Sequence, residues 1–174
     1  MALVGDVDLA MLVAFTASTQ GLKKGDVVDV FIDSPGGGSK IGTDIADRIT
    51  SLRLSGVVFR CQALRAVSAA FMIWSVCSER EILAYGRALF HYPYAIVHGG
   101  LTWDTAAEIA KDLKEQREDY RARLVAALAP VKPEDIDAAA AEDRVFFGKE
   151  FCLTFAPGFC KVVYKLPYLE EKMK

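Results

Sequence analysis

The stretch DVVDVFID-SPGGG-SKIGTDIADRITSLRL, residues 26–54, decides how the rest of the chain is read. Asp26 to Asp33 is a β-branched run bounded by Gly25 and by Ser34-Pro35-Gly36, the pattern of a buried strand. From Ser39 to Leu54 the period changes. Ile41, Ile45, Ile49 and Leu52 fall on one helical face, and Asp44 and Arg48 form an i,i+4 pair on the other. Strand, glycine bend and helix therefore follow one another without a linker. Working outward, Gly56 to Cys61 (GVVFRC) predicts a second strand. Ser68 to Cys77 (SAAFMIWSVC) is apolar on all sides and predicts a helix buried in the middle of the protein. Ile82–Ala84 and Ala88–His91 predict short strands on either side of Gly86. Such alternation predicts an α/β fold with parallel pairing and right-handed crossovers.

Beyond Trp103 the pattern lengthens. Thr105-x-x-Glu108 is a capping-box pattern, and Ile109, Leu113, Tyr120, Leu124 and Ala127 repeat at helical spacing up to Ala129, where Pro130 ends the run. A helix of about 25 residues is ~37 Å long. That is more than a small domain covers, so part of it is expected to project. Its apolar stripe then calls for a partner, most simply a second copy of the chain. Pro133 to Ala141 predicts a short helix, Phe151 to Phe155 reads as helix or strand, and Lys161 to Tyr164 as a strand.

The whole chain, 1–174, is expected to form one domain, since domains run to ~100–200 residues. A net charge of −2 argues against nucleic acid and anionic lipid as partners, because both need clustered positive charge. Hydrophobic residues make up 52% and mean hydropathy is +0.21, which excludes disorder and points to apolar surface hidden between subunits. No run approaches ~18 uninterrupted apolar residues, so no membrane span is expected. Met1 to Thr16 is apolar, but Asp6 and Asp8 interrupt it and no basic residue precedes it, unlike an export signal. A cytoplasmic location is therefore expected, with Cys61, Cys77, Cys152 and Cys160 as reduced thiols; a Cys152–Cys160 bridge is the alternative. The cysteines lack metal-type spacing, and neither a metal nor a cofactor is expected.

Three spots carry chemistry. Gly36-Gly37-Gly38 bares backbone N–H groups beside a helix start, which suits a negative oxygen, although such a bend also serves simply as a turn. No Lys-Ser/Thr pair follows, so it is not a phosphate loop. Ser68 opens the buried helix, either as its cap or as a nucleophile placed where a strand meets a helix. His91 ends an apolar strand, as a hydrogen-bonded structural residue or as a catalytic base. A serine hydrolase also needs a carboxylate to orient the histidine. Composition does not choose it, but Asp143, between a helix end and an apolar segment, is attractive.

Taken in order, Asp33-Ser34-Pro35-Gly36-Gly37 with Gly42 and Ile45-Ala46-Asp47, the Ser68 segment, and Arg87-Ala88-Leu89-Phe90-His91-Tyr92-Pro93 resemble the proteolytic subunit of the Clp protease, ClpP. The likeness spans roughly residues 3–147, with Glu142-Asp143-Arg144 matching the stretch that bears the family's catalytic aspartate. It implies a ClpP/crotonase-like fold of repeated ββα units with a projecting handle helix at about 104–129. It also implies a serine endopeptidase acting on unfolded proteins or short peptides, with Ser68 as nucleophile, His91 as general base and then acid, and Asp143 orienting it. The Gly37 and Ala69 amides would form the oxyanion hole. Gly36 would allow the turn, and Gly36, Gly38 and Ser39 would lie along the substrate groove. His98 receives no role. The assembly implied is a homo-oligomer of stacked rings.

The chain also departs from the family. It starts almost at the first strand, Leu3 to Val7, without the parts that help engage an ATP-driven unfoldase, which puts that partnership in doubt. One extra residue lies between Cys61 and Ser68, and Arg65 is unusual there. The alternatives are a non-catalytic ring subunit, a phage-type maturation protease with one partner substrate, and an acyl-CoA enzyme of the crotonase superfamily.

Overall fold

The computed structural model describes residues 1–97 and 99–165; His98 and the segment after 165 lie outside them. Among the described residues, β1 (Ala2–Val4), β2 (Val27–Ser34), β3 (Val58–Val67) and β4 (Glu79–Leu89) pair in parallel in that order. On the far side of β4, β5 (Phe146–Phe147) returns antiparallel beside Arg87 and Ala88, and β6 (Lys161–Val163) runs parallel beside Glu81 to Leu83. The helices are α1 (Leu9–Ser18), α2 (Ser39–Leu54), α3 (Ala69–Ser75), α4 (Trp103–Ala127), α5 (Pro133–Ala141) and α6 (Gly148–Glu150). A π-helical turn, Phe151–Phe155, follows α6, so the segment that reads as helix or strand is helical.

The β2–bend–α2 unit follows its pattern. Ile45 and Ile49 are fully buried against the sheet and meet Ile32, Phe59 and Trp74 in the main core. All seven residues of α3 are buried, as an all-apolar helix requires. On the opposite sheet face a smaller cluster joins Phe31 and Leu83 with Leu64 and Val163.

Several expectations change. β3 continues to Val67 where a loop was expected after Cys61, because a bulge at Leu64 absorbs one residue. Ile32 pairs with Ala63, but the next pair is Asp33 with Arg65. The two strands expected around Gly86 are a single bent β4. Its Ile82 faces Ala63, and the following pair is Arg87 with Arg65. Gly86 sits at that bend, where a Cβ would come within 2.7 Å of the Leu64 carbonyl oxygen. The N-terminal apolar run contains a helix, α1, opened by Asp8, whose Oδ1 accepts the Met11 N–H at 2.9 Å. Thr102, rather than Thr105, caps α4.

The cysteines are corrected as well. Cys61 is bonded to Cys77 and Cys152 to Cys160, with Cα separations of 6.0 and 5.3 Å. Cys61 faces the core from β3 and Cys77 follows α3, so the β3–α3 crossover brings together residues that spacing alone does not pair. The expectation of reduced thiols, drawn from the lack of an export pattern, fails, and the bridge weighed as its alternative, Cys152–Cys160, is present. Among the described residues no helix is long and apolar enough to cross a membrane.

α4 stands apart from this core. Of its 25 residues only Tyr120 and Leu124, both in the C-terminal half, are buried. Trp103 at its start is 91% exposed. This is the projection its length predicts.

Candidate active site

The site forms where β2, β3 and β4 end. After β2 the chain turns through Gly36 (φ +98°) and Gly37 (φ +148°), conformations that L side chains rarely adopt. A Cβ on Gly36 would lie 2.6 Å from the Ser68 Cβ, and one on Gly37 would lie 2.6 Å from the Val7 carbonyl oxygen. Val7 holds the bend from the other side: its N–H donates to the Gly36 carbonyl, and its carbonyl accepts from the Gly38 N–H, both at 2.8 Å. The Gly37 amide is left without a protein acceptor among the described residues. So is the amide of Ala69, at the first turn of α3.

Ser68 occupies the junction of β3 and α3 at φ +56°, ψ −123°. This is a strained place for a non-glycine residue, and such strain persists where the surroundings over-determine it. Its N–H donates to the Leu89 carbonyl at 2.8 Å, and its carbonyl accepts from the Phe71 N–H at 2.9 Å and the Tyr120 hydroxyl at 3.3 Å. The side chain makes no capping bond to α3. Instead Ser68 Oγ lies 2.6 Å from His91 Nε2. His91 Nδ1 lies 3.0 Å from Asp143 Oδ1. Asp143, also at positive φ (+48°), turns the chain from α5 toward β5. A carboxylate only accepts, so a hydrogen bond to Asp143 requires the ring proton on Nδ1, the tautomer in which Nε2 accepts from the serine hydroxyl. The imidazole is 16% exposed and the Asp143 side chain 69%.

The fold thus brings Ser68, His91 and Asp143 into one contact chain. Gly37, Gly38, Ser39, Ser68, Ala69, His91 and Asp143 all line a single cleft of about 700 Å³. Gly36 is not among its lining residues and packs against Ser68 instead. Val67, Leu89, Pro93, Tyr94, Ile96 and Tyr120 supply the apolar wall. Tyr120 reads in sequence only as one member of a core stripe, and its hydroxyl's partner carries no sequence signal. Burial pushes the pKa of that hydroxyl well above the ordinary tyrosine value, so it remains a neutral donor.

Beside the cleft, Tyr92 donates its hydroxyl to Asp137. Arg121 grips the same carboxylate bidentately, with Nε–Oδ1 and Nη2–Oδ2 both at 2.8 Å, and the Arg117 guanidinium sits 4.3 Å from the Tyr92 ring centroid. Burial, with Asp137 adding to it, pushes the Tyr92 hydroxyl up to about 12. The hydrogen bonds from Arg121 and then Tyr92 hold the Asp137 carboxyl below its ordinary value.

No family model matches the sequence, and no curated protein matches it. Among solved structures the chain is similar to a mutant of ClpP1 from Listeria monocytogenes, at a TM-score of 0.77 and 17% identity over 95% of this chain and 91% of that one. At that identity the likeness establishes architecture, and the architecture is that of the ClpP fold, a mixed α/β sheet with a long projecting helix.

Proposed function

We propose that the protein is a serine-type endopeptidase hydrolysing peptide bonds of unfolded segments or short peptides through an acyl-enzyme on Ser68. The observation that carries this reading is the continuous contact chain from Ser68 Oγ through the His91 ring to Asp143, at 2.6 and 3.0 Å. In the first step Ser68 Oγ attacks the scissile carbonyl as its proton passes to His91 Nε2. Asp143 holds the ring by Nδ1–H and stabilises the imidazolium. The carbonyl oxygen becomes an oxyanion, which the Gly37 and Ala69 amides receive. Collapse expels the amine, which takes the proton from Nε2. Water then repeats the sequence on the acyl-enzyme and frees Ser68. Gly36 permits the bend, while Gly38 and Ser39 border the groove along which the polypeptide lies.

The reading includes a homo-oligomer of stacked rings, joined in part through α4. The apolar surface around its start supports this: Trp103, Ile96, Tyr94 and Leu101 are all exposed. Sedimentation at micromolar protein is expected to give a species several times the 19.0 kDa chain, and a monomer alone would remove the ring.

The test of the chemistry is covalent labelling by a fluorophosphonate, followed by a peptidase assay. Wild type is expected to label at Ser68, and Ser68→Ala is expected to keep its fold and lose labelling. Equal labelling of both would reject Ser68 as the nucleophile. Absence of both labelling and peptidase activity would favour a non-catalytic ring subunit, and labelling without general peptidase activity would favour a protease with one partner substrate.

A further inference from the structure

We infer that one turn of α4, carrying Arg117, Tyr120 and Arg121, is a positioning element that holds Ser68 and His91 in register with each other. The inference rests on the reading of Ser68 as the nucleophile. These three residues stand at i, i+3 and i+4, so they share one helical face. From that face Tyr120 donates to the carbonyl of Ser68. Arg121 reaches Asp137, which also accepts the hydroxyl of Tyr92, and Arg117 covers the Tyr92 ring. Tyr92 directly follows His91. One helical turn therefore touches the backbone of the nucleophile on one side and the residue next to the base on the other.

The two contacts have different partners and a common origin. Ser68 is strained at φ +56°, and its carbonyl has two donors, Phe71 N–H from its own helix and Tyr120 Oη from α4. Phe71 fixes Ser68 relative to α3, whereas Tyr120 fixes it relative to the helix that also holds Tyr92. The Ser68–His91 contact spans two strands, β3 and the end of β4, and a third element bonded to both strand ends holds their side chains at hydrogen-bonding distance. A displacement of about 1 Å at such a contact is enough to slow a reaction about 10²-fold. None of these side chains is required to touch the substrate's reacting atoms for this role.

Tyr120→Phe removes the hydroxyl and keeps the ring, and Tyr92→Phe does the same beside His91 while leaving the Arg121–Asp137 pair in place. The readout is fluorophosphonate labelling of the assembled full chain as a function of reagent concentration. Positioning lowers the limiting labelling rate, by about tenfold for Tyr120→Phe and about fivefold for Tyr92→Phe, with the half-saturating concentration held within about twofold. An unchanged limiting rate in both variants overturns the inference, as does a change confined to the half-saturating concentration, which would make Tyr120 part of the cleft wall alone. If Tyr120→Phe does not fold, Tyr92→Phe decides by the same readout. Loss of labelling in Ser68→Ala alongside unaffected tyrosine variants removes this inference and leaves the proposed activity standing. Labelling retained in Ser68→Ala removes the activity itself.

Discussion

The surroundings of Ser68 and the first half of α4 are built by opposite rules. At Ser68 the N–H, the carbonyl and the hydroxyl all have partners, the neighbouring glycine leaves no room for a Cβ, and α3 behind it is wholly buried. Along α4 from Trp103 to Asp119 no residue is buried. A strained residue needs neighbours that over-determine it. A helix with so little packed against it gets its stability from local bonds and from whatever partner covers it. The molecule thus couples a densely bonded turn at Ser68 to an arm with little packed against it, and the two meet at Tyr120.

The largest way to break this contrast is to remove the proposed base, His91. His91→Ala is expected to slow peptide hydrolysis by about 10⁴-fold with the fold intact, measured by turnover and by circular dichroism. Next comes the steric limit. Gly36→Ala places a Cβ 2.6 Å from that of Ser68, so a stability loss on the order of 2–3 kcal/mol with loss of labelling is expected in denaturant titration. Loss of stability with labelling intact would mean that the turn relaxes without moving Ser68. Replacing Cys61 and Cys77 by alanine opens a loop of 16-residue separation that contains Ser68, and is expected to cost about 3 kcal/mol. Trp103→Ala should shift the folding stability of the isolated subunit by less than about 0.5 kcal/mol, yet weaken assembly in sedimentation. The smallest effect is alkaline. The Tyr92 pKa is raised above its unfolded value of about 10, so the contribution of its protonated hydroxyl is complete below pH 10 and lost as pH climbs from there to about 12. Tyr92→Phe should flatten that part of the stability profile.

Much of the scaffold was legible because its signals are periodic. β2 and α2 follow from a β-branched run and an Ile41–Ile45–Ile49 stripe, and α3 from an unbroken apolar segment. The end of β3 was not legible. Leu64 is an ordinary strand residue, and nothing in its type announces that the pairing skips it. The strand–bend–helix pattern placed Gly37 and Ser68 in plausible positions. Joining His91 and Asp143 to them needed the family resemblance, because tertiary crossings bring these residues together. Tyr120 illustrates the remaining gap: helical spacing identifies its buried face, while the partner of its hydroxyl depends on where β3 ends. The Cys61–Cys77 pair was missed for a related reason, since absence of an export pattern argued for free thiols while the β3–α3 crossover brought the two residues together.

That same bond joins the chain covalently on either side of Ser68. A nick anywhere from Gln62 to Val76 leaves both pieces tethered through Cys61 and Cys77, so a molecule cut beside its own serine would keep its mass until a reductant is added.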